Sequence, residues 1–94
     1  MSQTVQLFSL GQIVATPSAL AALEQAGHGA HEFLRRHVSG DWGELDADDR
    51  RENELSLRAG FRLLSAYLLT NGEKMWIITE ADRSATTLLL PSEY

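Results

Sequence analysis

The sequence predicts an α+β domain in which two or three N-terminal helices pack on a three-stranded antiparallel β-meander. Segments before residue 60 carry helix-capping residues and apolar side chains at helical spacing. The last third of the chain instead contains three β-prone runs, and Asn71-Gly72 between the first two is typical of a hairpin turn. At 94 residues the chain has the length of one domain, so we assign residues 1–94 to a single α+β unit.

The N-terminal region predicts a short strand followed by the first helix. Val5 to Phe8 and Gln12 to Ala15 are β-prone runs, which we expect to form a short strand or hairpin. The first helix should begin after Thr16, because threonine accepts a hydrogen bond from a first-turn amide and Pro17 suits the first helical position. Gly27 can adopt the left-handed conformation in which helices commonly end, so it should terminate this helix.

A second helix is predicted from about Ala30 to Val38, with Gly40 as its end. Its apolar face is formed by Ala30, Phe33, Leu34 and His37. Glu32 and Arg36 are four residues apart and should form an ion pair on the opposite face. In the loop that follows, Trp42 is too large to be left in solvent, so we expect its indole to fill a gap between elements.

The third helix is predicted from Asp46, as its N-cap, to about Ala59. Asp48 and Asp49 fall in its first turn and Arg58 in its last turn, where the helix dipole favours each charge. The spacing also predicts two ion pairs, Asp46 with Arg50 and Glu54 with Arg58. The first half of this helix should lie in solvent and the second half should face the core, because the second half holds Leu55, Leu57 and Ala59.

The Asn71-Gly72 step predicts how the first two strands pair. Phe61 to Leu69 and Lys74 to Thr79 flank this step, which favours a two-residue type I′ turn with a positive φ at both central residues. In that register, counting back along the two strands places Tyr67 opposite Trp76.

The third strand is predicted at Thr86 to Leu90, with Pro91 as its end. Both faces of the resulting sheet are rich in apolar residues, whereas an antiparallel sheet with one solvated face shows polar alternation. The helices can cover one face. The second face should be covered by the N-terminal segment, by the loop around Trp42, or by another protein chain, which includes a homodimer formed through this face.

The negative charge of the chain is concentrated in one segment. The net charge is −5, and residues 41–54 hold seven acidic residues against two arginines, which equals the whole excess. Such a field opposes the phosphate contacts of nucleic-acid binding and favours a basic protein surface. We therefore expect a protein partner and no nucleic acid, with the partner-binding residues Trp42, Asp46, Asp48 and Asp49. A solvated helix face is the alternative interpretation.

Composition disfavours several other classes of protein. The chain has no cysteine, which excludes disulfides and thiolate chemistry and fits a reducing cytoplasm. No apolar run approaches the roughly 18 residues that cross a bilayer, and the first residues lack the features of a secretory signal. We expect a cytoplasmic protein without cofactor or membrane association. We also predict no metal site, because metal-ligand spacing is poor for the three histidines, His28, His31 and His37.

A small toxin-like ribonuclease is the alternative function. Glu80, His37 and Arg83 could serve as the general base, the general acid and the cation that neutralises a phosphorane on an antiparallel sheet. The order of helices followed by a sheet resembles the barnase, colicin and RelE group of toxins, as an analogy of architecture. In the structural interpretation of the same residues, Arg83 pairs with Glu80 or Asp82 to hold a tight loop.

A longer resemblance spans about residues 10–94. Four stretches carry it, namely Phe33 to Gly43, Asp49 to Asn53, Phe61 to Tyr67 and Trp76 to Thr87. With these stretches the chain resembles a family of small bacterial proteins carried on plasmids and integrated elements, called plasmid-related proteins, some of which are labelled type I restriction endonuclease subunit M. The resemblance implies an accessory role in a mobile genetic element and assigns no catalytic residue. We therefore expect a non-enzymatic protein-binding module that uses the acidic helix of residues 41–54.

Overall fold

The computed structural model describes residues 5–94 and has the α+β fold that the sequence predicts. The strands form one sheet in the order β1-β4-β3-β2. In chain order the elements are β1 (Gln12–Ala15), α1 (Pro17–Ala26), α2 (Ala30–Val38), α3 (Ala47–Ala59), β2 (Leu63–Leu68), β3 (Lys74–Thr79), β4 (Ala85–Leu89) and a short 3-10 turn (Pro91–Glu93).

Local capping residues set the helix boundaries as predicted. Thr16 Oγ1 accepts a hydrogen bond from the Ala19 amide at 3.0 Å, and Asp46 Oδ1 accepts one from the Asp49 amide at 2.8 Å. Gly27 ends α1 in the left-handed conformation, with a φ of 76°. Each of these contacts joins residues close together in the chain, so the residue types at these positions are sufficient to indicate the helix boundaries.

The sheet is mixed, which corrects the purely antiparallel prediction. β2, β3 and β4 form the predicted antiparallel meander, but β1 pairs with β4 in parallel. A parallel pair needs a long crossover, and here the three helices and two strands lie between β1 and β4 in the chain. The β-prone run Val5 to Phe8 adds no strand. This run passes beside α2, where the Leu7 amide donates to the Val38 carbonyl at 2.9 Å.

The turn between β2 and β3 differs from the predicted type I′ turn. The Gly72 amide donates to the Leu69 carbonyl at 3.0 Å, and the Leu69 amide donates to the Glu73 carbonyl at 2.8 Å. Gly72 has a φ of 87°, and Asn71 does not have the positive φ that a type I′ turn requires. This is the three-residue loop in which a type I turn is followed by a glycine bulge.

The longer loop shifts the pairing of β2 and β3 by one residue. Leu68 pairs with Lys74, so Tyr67 lies opposite Met75 and not opposite Trp76. Since side chains alternate along a strand, a shift of one residue places Tyr67 and Trp76 on opposite faces of the sheet. The prediction that the two rings meet across the hairpin is therefore wrong.

The inner face of the sheet packs against α1 and α2 and forms the core. The larger side chains of this core cluster are Leu23, Phe33, Tyr67, Leu69, Met75, Ile77 and Leu88. The outer face is covered by the C-terminal residues, and not by the segments that the sequence predicts for this role. The Tyr94 ring lies edge-on to the Trp76 ring at 5.6 Å, and Ile78 and Leu89 are 5% and 8% exposed. Leu68, on the same face, stays 54% exposed.

α3 lies along the free edge of β2 and is attached to it by polar contacts. The Asn53 side chain donates to the Leu64 carbonyl at 2.5 Å and accepts from the Leu64 amide at 3.1 Å. The buried residues of α3 are Asn53 and Ser56, whereas Leu55 is 47% exposed and Ala59 is also exposed. The second half of α3 faces the sheet as predicted, but its buried residues are polar and Leu57 is only half-buried. The predicted apolar face is therefore wrong, because α3 meets a strand edge whose backbone groups require hydrogen-bond partners.

Contacts to the loop between α2 and α3 replace the ion pairs predicted within the helices. Arg36 Nε lies 2.7 Å from Asp41 Oδ2. Arg50 donates to two carbonyls of the loop, at 3.0 and 3.3 Å. Glu54 accepts a hydrogen bond from the Trp42 indole at 3.1 Å. The predicted pairs that do not form are Glu32 with Arg36, Asp46 with Arg50 and Glu54 with Arg58.

Candidate functional site

Residues 42–44 hold the start of the acidic segment against the sheet. The Ala66 amide donates to the Trp42 carbonyl at 3.1 Å, and the Glu44 amide donates to the Ala66 carbonyl at 2.6 Å. Gly43 lies so close to β2 that an added Cβ would come within 2.0 Å of the Ala66 carbonyl oxygen. Together with the amide contact from α3, this bridge fixes residues 41–54 on the edge of β2.

The seven acidic residues of this segment divide into two groups. Asp41 is used within the fold, because it accepts hydrogen bonds from Arg36 that lower the pKa of its carboxyl. Glu54 binds the indole described above, and Asp46 caps α3. All seven residues are exposed, but within residues 5–94 the side chains of the four others are bonded to no other element of the fold, and they are Glu44, Asp48, Asp49 and Glu52. Of these, Asp48 forms a surface ion pair with Arg51.

A groove of about 350 Å³ lies between α3 and the beginning of β2. Its walls include the acidic residues Asp49 and Glu52 on α3 and the apolar residues Leu45, Phe61 and Leu64. Phe61 is 56% exposed, which is high for a large aromatic residue on a small domain. We call this feature the acidic groove. It offers an apolar floor beside two carboxylates.

Arg62 is the basic residue among those lining the acidic groove. Its guanidinium lies 5.4 Å from the centre of the Tyr94 ring and is hydrogen-bonded to the Tyr94 hydroxyl. Arg62 is therefore held toward the C-terminal residues on the outer face, and the carboxylates of Asp49 and Glu52 dominate the charge of the groove.

Trp42 fills a gap between elements, as predicted. Its side chain is 4% exposed, with the ring edge-on to His37 at 5.9 Å and stacked on Phe8 at 6.3 Å. Because so little of the indole reaches solvent, a partner would contact the neighbouring acidic side chains. Of the predicted partner-binding residues, Asp49 lines the acidic groove, while Asp46 and Asp48 are exposed at the start of α3.

His37 lies at the centre of a buried chain of hydrogen bonds. Ser65 Oγ lies 2.6 Å from its Nδ1, and Thr79 Oγ1 lies 2.9 Å from its Nε2. Thr79 Oγ1 is 2.7 Å from Thr86 Oγ1, which in turn donates to the Leu10 carbonyl at 2.7 Å. The chain of bonds thus joins α2 to β2, β3 and β4 and to the residues just before β1.

The carbonyl at one end determines the direction of the bonds from Thr86 back to His37 Nε2. Since Thr86 gives its one proton to a carbonyl, it must accept from Thr79, which must then accept from His37 Nε2. His37 Nε2 therefore carries a proton. Burial, together with the positive charge of Arg83, lowers the pKa of His37 to about 3, so the ring is neutral at pH 7 and its Nδ1 accepts the hydrogen bond from Ser65.

The three residues of the ribonuclease hypothesis do not form a catalytic group. His37 is 0% exposed and neutral, so it offers no accessible proton to a substrate. Arg83 donates to four backbone carbonyls at distances from 2.7 to 3.1 Å. Two belong to the turn after β3, one to the last turn of α3 and one to Phe61, just after that helix. Glu80 is exposed beside that turn. Because the Arg83 guanidinium already donates to these carbonyls, it is not available to bind a phosphate.

Arg83 holds the turn between β3 and β4, although by different contacts from those predicted. It bonds to carbonyls, including that of Ser56 at 3.1 Å, and so ties the end of α3 to this turn. Asp82 caps the Ser84 amide at 3.0 Å instead of pairing with Arg83. Arg83 has a φ of 60°, the left-handed conformation that the turn imposes. Within residues 5–94, no group of three or more His, Asp or Glu residues is arranged to hold a metal ion.

Of the nine residues that line the acidic groove, only Asp49 was predicted from the sequence as a partner-binding residue. A signal for Phe61 was present. Helix α3 ends with Gly60 in the left-handed conformation, and the amides of Gly60 and Phe61 both donate to the Ser56 carbonyl, at 2.9 and 3.2 Å. In this type of helix end the residue after the glycine commonly packs back on the helix, so Phe61 belongs to the cap and not to β2.

Comparison of the chain with protein-family models, with curated proteins and with solved structures finds no match, so the family resemblance stays a prediction. None of the helices within residues 5–94 is both long enough and apolar enough to cross a membrane.

Proposed function

We propose that this protein is a non-enzymatic protein-binding module that uses the acidic groove to bind a partner segment with basic and apolar side chains. The observation that carries the proposal is the joint presence of Asp49, Glu52 and the exposed Phe61 around one groove. Basic side chains of a partner would meet the carboxylates, while an apolar side chain would cover Phe61.

The rigid attachment of the acidic segment supports the same proposal. The backbone of residues 42–44 and the Asn53 side chain are bonded to β2, so the groove is formed before a partner arrives. A preformed site loses less conformational entropy on binding than a loop that must first become ordered. The resemblance to plasmid-related proteins favours an accessory role in a mobile genetic element. This biological role rests on the sequence resemblance alone and does not depend on the groove.

Site-specific photo-crosslinking in cells of the organism that carries the gene tests the proposal. A photoreactive phenylalanine analogue replaces Phe61, and the control places it at Leu20, which is similarly exposed on α1. We expect a discrete adduct from position 61 and none from position 20. Mass spectrometry of the adduct identifies the partner, and an adduct between two copies of this chain would identify a homodimer instead.

A matched pair of charge reversals decides whether the acidic groove is responsible. Asp49→Lys with Glu52→Lys should abolish the adduct at position 61, because the partner's basic residues would face like charges. Glu24→Lys with Glu73→Lys makes the same change in net charge at exposed positions outside the groove and should leave the adduct intact. Equal yields from the two double variants, or no adduct at position 61, would refute the proposal.

A further inference from the structure

The opposite edge of the sheet, at β1, has backbone groups that face solvent. The Gln12 amide donates to the Ser84 carbonyl at 3.0 Å and the Thr16 amide to the Leu88 carbonyl at 3.1 Å, so alternate residues of β1 point their backbone groups toward β4. Ile13 lies between them and directs its amide and carbonyl away from the sheet. Among the described residues, the Ile13 amide and carbonyl have no hydrogen-bond partner.

An apolar groove of about 300 Å³ lies beside this open edge, between β1 and α2. Its apolar lining comes from Leu10, Ile13, Leu34 and Val38. Ile13 is 51% exposed, and Val14, on the other face of the same strand, is 44% exposed. An open strand edge next to an apolar groove under a helix is the arrangement in which proteins bind extended peptides by adding a strand.

The rim of this second groove is basic, in contrast to the chain as a whole. Arg35 and His31 line it, and Arg35 Nη2 lies 2.6 Å from His31 Nε2. Within residues 5–94, Arg35 forms no salt bridge with a carboxylate, whereas the adjacent Arg36 is paired with Asp41. We call the open edge and this groove together the β1 site.

We propose that the β1 site binds an extended acidic peptide, which adds as a strand to β1, inserts an apolar side chain beside Ile13 and places a carboxylate near Arg35. Backbone hydrogen bonds to Ile13 would provide the register. Because side chains of an added strand alternate, every second residue of the peptide would point into the groove or toward α2. This site is separate from the acidic groove and does not depend on its function.

A peptide fits the β1 site better than a second copy of the chain. Two β1 strands paired edge to edge about a two-fold axis would bring both α2 helices to the same face of the joined sheet, with Arg35 of each copy facing like charge. β1 has only 4 residues, whereas a stable protein–protein interface uses about 20–30 residues on each side.

Fluorescence anisotropy with synthetic peptides tests the proposal. The probes are labelled eight-residue peptides of alternating valine and threonine, with two glutamates at the N-terminal end of one and at the C-terminal end of the other. We expect one of them to bind the full chain, and the amide resonance of Ile13 to shift more than that of Leu64 on the far edge. Replacing the glutamates by lysines should weaken binding by about tenfold or more. N-methylation of the backbone nitrogens that face β1 should abolish binding.

Variants of the protein distinguish the β1 site from general charge attraction. Arg35→Glu should weaken binding of the acidic peptide by about tenfold or more, whereas Arg58→Glu, the same charge change at an exposed position on α3, should have little effect. Ile13→Lys keeps the backbone and should also weaken binding, by placing a charge in the groove. Three results would overturn the proposal: no binding of either acidic peptide, equal loss with both arginine variants, or a concentration-dependent dimer that Ile13→Lys abolishes.

Discussion

The two edges of the sheet show opposite solutions to the same physical problem. An edge strand exposes backbone groups to which another chain can pair, and proteins commonly cover such edges. At β2, the Asn53 side chain and the backbone of residues 42–44 bind these groups at Leu64 and Ala66. At β1, Ile13 faces solvent beside an apolar groove. One edge is therefore closed by the chain itself, and the other is left able to accept a strand.

The charge around the two edges differs in the same way. The cover of β2 carries the acidic groove, with Asp49 and Glu52 in its wall. The groove beside β1 carries Arg35 and His31. Because the two grooves differ in charge, a segment complementary to one would meet like charge at the other, so the two proposed sites would select partners of different composition.

The hydrogen-bond chain through His37 joins the two edges inside the protein. It begins at Ser65 in β2 and ends at the carbonyl of Leu10, two residues before β1. The buried chain needs a neutral imidazole that is protonated at Nε2. Anything that disturbs this histidine should therefore loosen the segment that leads into the open edge as well as the strand beneath the closed edge.

Replacing Gly43 by alanine should cause the largest loss of stability, because it separates residues 42–44 from the edge of β2. Gly43 has a φ of 76°, and an added Cβ would lie 2.0 Å from the Ala66 oxygen. We expect Gly43→Ala to lower the free energy of unfolding by more than about 3 kcal/mol, through backbone strain and loss of the bridge. Urea unfolding measures the change.

Gly72→Ala is the matched control for this substitution. Gly72 has a similar φ of 87°, but an added Cβ would meet nothing within 4 Å. Its replacement should cost about 1 kcal/mol, the penalty of a left-handed alanine alone. Equal losses at the two glycines would show that residues 42–44 do not close the edge of β2.

Acidification should cause the next largest loss, through His37. Because the folded state holds the pKa of His37 near 3, below its usual 6.5, the unfolded chain binds a proton that the folded chain cannot. Stability should therefore fall as the pH decreases from 6.5 toward 3, by roughly 2–3 kcal/mol between pH 6.5 and 4.5. The carboxyl of Asp41, whose pKa is lowered by its hydrogen bond to Arg36, reduces stability further only when the pH falls below about 4.

Urea unfolding of His37→Gln at the same pH values checks the assignment. The variant should be less stable at pH 7, because glutamine cannot reproduce the packing and hydrogen bonds of the imidazole. Since glutamine does not titrate, the variant should lose little further stability down to pH 4.5. If the free energy of unfolding of the variant falls with pH as steeply as that of the wild-type protein, another group causes the fall. His37 would then not be neutral with a lowered pKa in the folded protein.

Sequence reasoning located the parts of this molecule that depend on neighbours in the chain. Thr16, Gly27 and Asp46 act within one or two turns of their own helix, so their residue types are sufficient to predict the boundaries. The Asn71-Gly72 step also predicted a hairpin. It did not predict the register, because glycine at this step suits both a type I′ turn and a type I turn with a bulge, which differ by one residue in length.

The parts that could not be predicted depend on contacts between distant segments. Periodicity detects apolar faces, but α3 meets the sheet through the polar residues Asn53 and Ser56. The acidic groove joins residues of α3 to Phe61 and Leu64 and exists only because α3 lies along β2. The predicted partner-binding segment was located by its charge, whereas the groove in it required the edge contact that no local pattern reveals.

The smallest expected loss of stability comes from removing the Asn53 side chain, which tests the contact between α3 and the edge of β2 directly. Asn53→Ala removes both hydrogen bonds to Leu64 and leaves the end of β2 open to water. Since the freed backbone groups can then bind water, we expect a loss of about 1–2 kcal/mol in the free energy of unfolding. Leu55→Ala changes an exposed residue of the same helix and should cost much less.

Hydrogen exchange then compares the two edges residue by residue. In the wild-type protein the amide of Leu64, bonded to Asn53 at 3.1 Å, should exchange slowly, while that of Ile13 should exchange rapidly despite lying in a strand. Asn53→Ala should make the Leu64 amide exchange as rapidly as that of Ile13 and leave Ile13 unchanged. If Leu64 keeps its protection in the variant, the side chain does not substitute for a neighbouring strand. If Ile13 is protected in the wild-type protein, another part of the chain covers β1, and the two edges are alike.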